Sequence, residues 1–406
     1  MKILHISYSD NIGGASRAAY RIHQAQLKSG INSQMLVLVK TTSDDTVIRA
    51  KDFINSYRYK FNRIAERFFN RIFNLSGSEP RSLGIIGSGL WRFINRFEAD
   101  IVHLHWVNGG ILSLGDISKI SLPIVWTFHD LWPLSGLTHY DSEKDQTLSI
   151  KQFKIINVLD DYLKRRKTKL IFSKNIQCIA NSKWTARQIS KKLGVGSATI
   201  PILPYPIDLE FWSRKNSKID ARNALGIPTD KRIIMFGAPG GSSDPRKGFD
   251  LLEKALLFLS DEMLETTSLV VFGGDFDLAF LKHDNIICLG PIFNDIKLRT
   301  VYEASDVVVM PSRLETFGQV ALEAIACGSP VVAFSTSGLK DVISHKITGY
   351  LAKPYDSRDL HDGICWCLDE QGKFNSHEWY ANVNKFGNQQ MAKKYQIFYN
   401  NLCERF

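Results

Sequence analysis

The chain has 406 residues, 44% hydrophobic and 23% charged, which describes a folded globular protein too long for one ordinary core and excludes a low-complexity or disordered class. Its formal charge of +10 is uneven: residues 1–215 hold 31 Lys and Arg against 17 Asp and Glu, whereas residues 216–406 hold 20 against 24. Six scattered cysteines without a C-x-x-C pair fit reduced thiols in a cytosolic protein, Lys2 before a short apolar strand is not a cleavable signal, and no stretch approaches the roughly 20 apolar residues of a membrane span.

Residues 3–8 read as an apolar strand. Asn11-Ile-Gly-Gly-Ala-Ser16 then precedes a helical pattern through Ala18, Ala19, Ile22 and Leu27 that stops at Gly30. Strand, glycine turn and helix open a Rossmann-like half, and the absence of G-x-G-x-x-G argues against a nicotinamide dinucleotide. Gly13 and Gly14 serve either close approach of a ligand to the backbone or a plain tight turn. After a strand at Met35–Val39, residues 51–73 place Phe53, Tyr57, Phe61, Ile64, Phe68 and Ile72 at three- and four-residue steps among Lys51, Arg58, Lys60, Arg63, Arg67 and Arg71. This basic amphipathic helix has two readings: docking on an anionic membrane surface, or packing its aromatic face on the N-terminal domain.

Asp100–Trp106 and Leu122–Phe128 read as further buried strands, the second running into His129-Asp130-Leu-Trp-Pro-Leu-Ser-Gly136. A histidine just past a strand's carboxyl end stands where open α/β sheets bind ligands. The run Lys164-Arg165-Arg166-Lys167 reads as a solvated helix face, and Thr199–Leu203 as the last strand of the first domain. Polar residues at 206–230 mark a linker. The domains are set at 1–210 and 211–379, with a helix over about 380–406 returning to the first.

The second half repeats the alternation. The strand at 232–236 leads into Gly237-Ala-Pro-Gly-Gly-Ser-Ser-Asp-Pro-Arg246-Lys247-Gly248, a glycine-rich loop whose two adjacent cations suit a diphosphate. Asp275-Phe-Asp277 matches a metal-nucleotide D-x-D only weakly, and the cation pair can do a metal's electrostatic work, so no metal and no other cofactor is expected. Val307–Met310 is a strand, and Val320–Ala326 a helix that stops at Gly328 before Pro330. Glu315 therefore lies on the loop between them and Glu323 inside the apolar helix. There it is costly to bury unless it accepts hydrogen bonds, as from vicinal hydroxyls. Thr316, Phe317 and Gly318 bring backbone N–H groups to the helix N-terminus, where phosphate is favoured. Hydroxyl binder, anion cradle and second hydroxyl binder follow the order of a sugar nucleotide: hexose, diphosphate, ribose.

The string Pro311–Val332 resembles the E-x7-E region of family 4 retaining glycosyltransferases of the GT-B fold. That resemblance implies an α/β protein of two facing Rossmann-like domains with a deep interdomain cleft. Glu315 would contact the transferred sugar, Glu323 the ribose, and Lys247 of Arg-Lys-Gly-Phe-Asp-Leu-Leu the phosphates; Arg246 would stand in for a family arginine missing from Gly237–Pro239. Gly13 and Gly14 match the family's amino-terminal glycine loop. Thr127–Gly136 is similar to a bacterial surface-polysaccharide branch, of the colanic acid or O-antigen kind, in which the histidine, here His129, faces the donor sugar; the cysteine-containing insert that often follows there is missing. The expected activity is metal-independent hexosyl transfer from a UDP-, GDP- or dTDP-sugar to a glycan or lipid-linked oligosaccharide, in the cytoplasm or peripherally on the inner membrane face. The alternatives are an inactive carbohydrate- or nucleotide-binding protein and a sugar-nucleotide epimerase. Nucleic acid is not an expected partner, because the basic residues carry no such fold signature.

Overall fold

The computed structural model describes residues 1–50, 57–72, 81–85, 87–140, 150–276, 285–370 and 374–404. The chain divides into two compact units, Met1–Pro206 with Asn388–Phe406, and Ile207–Gly387. The division thus falls at 206/207 rather than 210/211.

The first unit holds six parallel strands: β1 (Lys2–Ser9), β2 (Asn32–Val39), β3 (Val47–Arg49), β4 (Ile101–Leu104), β5 (Ile124–Phe128) and β6 (Gln177–Ala180), in the order β3-β2-β1-β4-β5-β6. The second repeats the plan with β7 (Arg232–Gly237), β8 (Thr267–Phe272), β9 (Ile286–Cys288), β10 (Val307–Met310), β11 (Val331–Phe334) and β12 (Gly349–Ala352), in the order β12-β11-β10-β7-β8-β9. In each sheet the order reverses once, at β1/β4 and at β7/β10, which opens a crevice at the carboxyl ends of those strands.

The two faces of the first sheet differ in chemistry. Leu4, Ile6, Leu36, Val102, Leu104, Trp126 and Phe128 point to an apolar core. The alternate positions hold His5, Ser7, His103, His105, Thr127 and His129, all buried. Gln26 of the helix Gly14–Lys28 and Tyr399 of the helix Asn388–Cys403 meet this polar face.

Three expectations are corrected. Residues 199–203 do not form a strand: Ile202 makes only an isolated bridge to Ala180, since Pro201 and Pro204 on either side lack the N–H that a ladder needs. The helix expected over 380–406 is two, Ser376–Asn384 and Asn388–Cys403, and only the second belongs to the first unit. Between them the Phe386 ring turns inward, 5.8 Å from that of Phe317, and its carbonyl accepts from Ile207 N at 2.9 Å. Lys167 is fully buried rather than solvated. Its ammonium donates to the carbonyls of Trp132, Ser135 and Gly136 at 2.7, 3.0 and 2.7 Å, which clamps the segment after His129. The amphipathic pattern of 51–73 forms a helix at Tyr57–Ile72, with Lys51 and Phe53 outside the described residues. Among the described residues no helix is long and apolar enough to cross a membrane.

Burial, opposed at His129 by Asp130 and at His23 by Asp44, holds both imidazoles down at about 4. Burial and then the charge of His23 hold His5 at about 3, and burial keeps His103 and His105 well below the usual range. Unfolding restores each toward 6.5, so below that pH the unfolded chain binds more protons than the folded one. Stability should therefore fall as pH drops from 6.5 toward 4, by up to about 1.4 kcal/mol per pH unit for each imidazole. Denaturant midpoints measured from pH 8 to pH 4.5 should be level above 7 and decline steeply below 6.5. A flat profile through that window would show that the histidines are not held neutral.

Candidate functional site

The loops after β7, β10 and β11 lie side by side because these strands are neighbours, and two of them flank the switch point. Lys247 comes from the first loop and Glu315 from the second; Lys247 Nζ stands 2.6 Å from Glu315 Oε1, a short charge-assisted bond. Ser312 Oγ donates to the same oxygen at 3.2 Å. Ser337, after β11, receives the Glu315 N–H on its hydroxyl at 3.0 Å, while Gly338 N donates to the Glu315 carbonyl at 2.8 Å. Ser337 has φ 45, uncommon for a residue with a Cβ and a form of local strain that clusters at functional sites.

Further bonds lock the two main loops together. Arg313 forks onto Asp250 through two 2.7 Å bonds, which holds the Asp250 carboxyl below its usual range, and donates to the Pro245 carbonyl at 2.7 Å. Its backbone N–H donates to the Arg246 carbonyl at 2.8 Å. Gly248 makes the approach feasible: its φ is +68, and a Cβ there would lie 2.0 Å from the Pro311 carbonyl oxygen.

Not every expected residue joins this cluster. Arg246 forks onto Asp244 with bonds of 3.0 and 2.8 Å, so its charge is compensated within its own loop. Phe317 is 1% exposed and packs inward, which leaves only its backbone for a ligand. Gly318, with φ 103, caps the eight-residue helix Gln319–Ala326. Glu323 on that helix is 3% exposed, and the buried Tyr302 hydroxyl donates to its Oε2 at 3.1 Å. The donor that a buried carboxylate needs is thus supplied by the protein, not left wholly to a ribose, although a carboxylate retains further lone pairs. Asp275 is described, but Asp277 of the D-x-D lies outside the described residues.

In the first unit Gly13, with φ +82, opens the first helix beside the switch point, and no atom lies within 4 Å of the place a Cβ would take. His129 follows β5 and is buried. Its Nε2 lies 2.9 Å from His105 Nδ1 and its Nδ1 2.6 Å from the Tyr205 hydroxyl. Both ring nitrogens are engaged inside this unit.

Residues 12–211 match the model described as Glycosyltransferase Family 4, and residues 217–386 the model described as Glycosyl transferases group 1. This chain is built from the two domains of a GT-B glycosyltransferase. It is 26% identical over 312 residues to the D-inositol 3-phosphate glycosyltransferase of Thermobispora bispora, covering 72% of this chain and 68% of that one. It is 28% identical over 280 residues to that of Mycobacterium tuberculosis, covering 65% of this chain and 53% of the relative. Anabaena HepE, solved in complex with UDP-glucose, shares the fold with a TM-score of 0.64 at 16% identity, over 99% of this chain and 100% of that one.

Of the residues singled out in the sequence, this GT-B fold brings Lys247 and Glu315 together; Asp244, Asp250, Ser312, Arg313 and Tyr302, which bond to the expected residues or to their loops, were not singled out. Ser337 alone had a legible signal, in Ser335-Thr-Ser-Gly338 after an apolar strand. The others depend on pairings across tens of residues or on a neighbouring helix.

The approach at Gly248 gives a stability test. Gly240, with φ +86, has only Ser243 Oγ near a built Cβ, at 3.5 Å, so Gly240→Ala should cost about 1–2 kcal/mol of backbone strain. Gly248→Ala adds collision with a strand-end carbonyl and should cost at least about 1 kcal/mol more, with a matching loss of activity. Equal melting temperatures for the two variants would show that the loops yield there.

Proposed function

We propose that the protein transfers a hexose from a nucleoside-diphosphate sugar, with UDP the first base to try, to a hydroxyl of a growing surface glycan, with retention at the anomeric carbon and no required metal. The observation that carries this is the Lys247–Glu315 pair at the switch point of the second unit, with Glu323 eight residues on in the next helix. UDP-glucose in HepE and the transferase names of the sequence relatives support the donor class and the reaction class. The glycan acceptor rests on the similarity of Thr127–Gly136 to the surface-polysaccharide branch.

The C1–O bond to the diphosphate breaks and a bond from C1 to the acceptor oxygen forms on the same face. The acceptor's proton passes to an oxygen of the departing diphosphate. Lys247 exchanges part of its contact with Glu315 for the diphosphate, and Glu315 then takes a sugar hydroxyl. The backbone at Thr316–Gly318 offers N–H groups to the phosphates. Arg246 adds charge only as its grip on Asp244 loosens, so Lys247 carries more of this work. Glu323, already holding Tyr302, binds the ribose with its remaining lone pairs. Gly13 and Gly14 leave room for the acceptor or donor beside the first switch point, and His129 acts as a positioning residue.

Glu315→Ala should lower transfer by about 30- to 1000-fold, equivalent to about 2–4 kcal/mol of barrier, with nucleotide affinity nearly unchanged. Glu323→Ala should weaken nucleotide binding first. Calorimetry with UDP, GDP and dTDP, alongside nucleotide release from the corresponding sugars, separates the two effects. Wild-type turnover in both variants would end the assignment.

A membrane-peripheral site of action is favoured by the helix Tyr57–Ile72, on which Tyr57, Phe61, Ile64 and Phe68 are 93%, 67%, 65% and 60% exposed among basic residues. Changing Phe61, Ile64 and Phe68 to Ser should abolish flotation with anionic liposomes and leave transfer to a soluble acceptor intact. Unchanged flotation would remove the lipid reading.

A further inference from the structure

Glu315 is gripped from two directions by different means. Its carboxylate oxygen Oε1 faces Lys247 Nζ at 2.6 Å and Ser312 Oγ at 3.2 Å. Its backbone is held by the loop after β11: the N–H donates to Ser337 Oγ at 3.0 Å, and the carbonyl accepts from Gly338 N at 2.8 Å. Further along, the two segments run as close as their atoms allow. A Cβ on Gly338 would lie 2.2 Å from the Thr316 carbonyl oxygen, and one on Gly318 would lie 2.7 Å from a methyl carbon of the buried Leu339. Residues 337–339 thus form a mould along which 315–318 are laid, and at its first position the bond comes from a side chain.

Serine is a poor choice there if the turn alone mattered. The φ of 45 at Ser337 is one that glycine adopts without strain, whereas a Cβ makes it unfavourable. What serine adds over glycine is a hydroxyl, and its oxygen is the acceptor for the Glu315 N–H. The two grips also differ in when they act. In the proposed reaction Lys247 turns toward the diphosphate, which loosens the hold on the carboxylate just as that group must meet a sugar hydroxyl. The backbone bonds involve no group that changes partner, so they persist through the step.

We propose that Ser337 is a positioning residue for Glu315: its hydroxyl fixes the backbone from which the carboxylate projects, and so keeps the carboxylate in place while Lys247 changes partner. The proposal rests on the transferase reading of this site. Without the acceptor, the part-buried Glu315 N–H must turn toward another partner, and the side chain turns with it. A displacement of about 1 Å in a group that orients substrate can cost about 100-fold in rate.

Ser337→Gly and Ser337→Ala separate positioning from turn-making, because both remove the acceptor but only glycine relieves the strain. Ser337→Gly should melt at or above the temperature of Ser337→Ala. Both should nevertheless lower kcat by about 10- to 100-fold, with KM for the nucleotide sugar near the wild-type value, measured with whichever of the UDP-, GDP- and dTDP-sugars the wild type turns over. Wild-type kcat in Ser337→Gly would show a turn residue and nothing more, and would overturn the proposal, as would a loss confined to KM. Should Ser337→Ala fold poorly, Ser337→Gly alone decides. Hydrogen exchange at the Glu315 amide gives a readout that needs no turnover: the amide should be protected in the wild type and exchange about tenfold faster in Ser337→Gly. A wild-type protein that releases no nucleotide from any of these sugars removes the transferase reading. Protection lost in Ser337→Gly then still upholds the grip on Glu315, and unchanged protection overturns it.

Discussion

The arrangement of the second unit depends on the parallel pairing of β7 with β10. These strands are distant in sequence but adjacent in space, so the loops that leave their carboxyl ends must share one edge of the sheet. Adjacency alone would leave two polar loops competing for water. What fixes them is a set of short cross-loop bonds, Lys247 to Glu315 and Arg313 to Asp250, together with a glycine at the point where backbone meets backbone. A cation and a carboxylate held face to face in a half-buried edge are a ready exchange site. An incoming anion can take the cation and an incoming hydroxyl the carboxylate, with no charge stranded during the exchange.

The first unit solves a different problem on the same scaffold. Parallel sheets are ordinarily apolar on both faces, because helices cover each side. Here one face buries four imidazoles, which is tolerable only if they stay neutral and every ring nitrogen has a partner of the right kind. Burial enforces the first condition and the alternation of donors and acceptors the second. Lys167 follows the same rule: its ammonium is held by three carbonyls, with the charges of Asp130 and Asp160 acting in its favour, and its Nζ lies 3.5 Å from the centroid of the Trp132 ring.

Much of this was legible in the residues, and the failures have definite causes. The strand–glycine–helix units, the two carboxylates and Lys247 were readable because their signals are local: a β-branched run, a glycine that must turn, a charge beside it. The pairing of Arg246 with Asp244 was not legible, because a loop sequence does not reveal that a carboxylate two residues away will fold onto the guanidinium. The histidine face was missed for a different reason. His5 and Ser7, His103 and His105, and Thr127 and His129 each stand two apart, the strand period, but the strands were read for their apolar content and not for what the alternate positions shared. Lys167 was hidden by its cationic neighbours, since only the helix's orientation on the sheet distinguishes the one that points inward. Pro201 and Pro204 were visible throughout and argued against the strand that was expected there.

The return of the chain at 385–387 joins these observations. A helix running unbroken from 380 to 403 would have had no reason to stop at Gly387. Instead the Phe386 carbonyl accepts from Ile207, so the two segments where the chain leaves and re-enters the first unit are bonded to each other. That bond sets where the last helix begins, and hence which of its residues face the sheet. With Asn388 at the start, Tyr395 and Tyr399 fall one turn apart on one side, both fully buried. A start shifted by one residue would rotate them about 100° away from His103 and Gln26 and leave a bare imidazole nitrogen and a carboxamide without partners. The register of the last helix is therefore fixed twice, by a backbone pairing at its entry and by the hydrogen-bonding needs of the histidines beneath it.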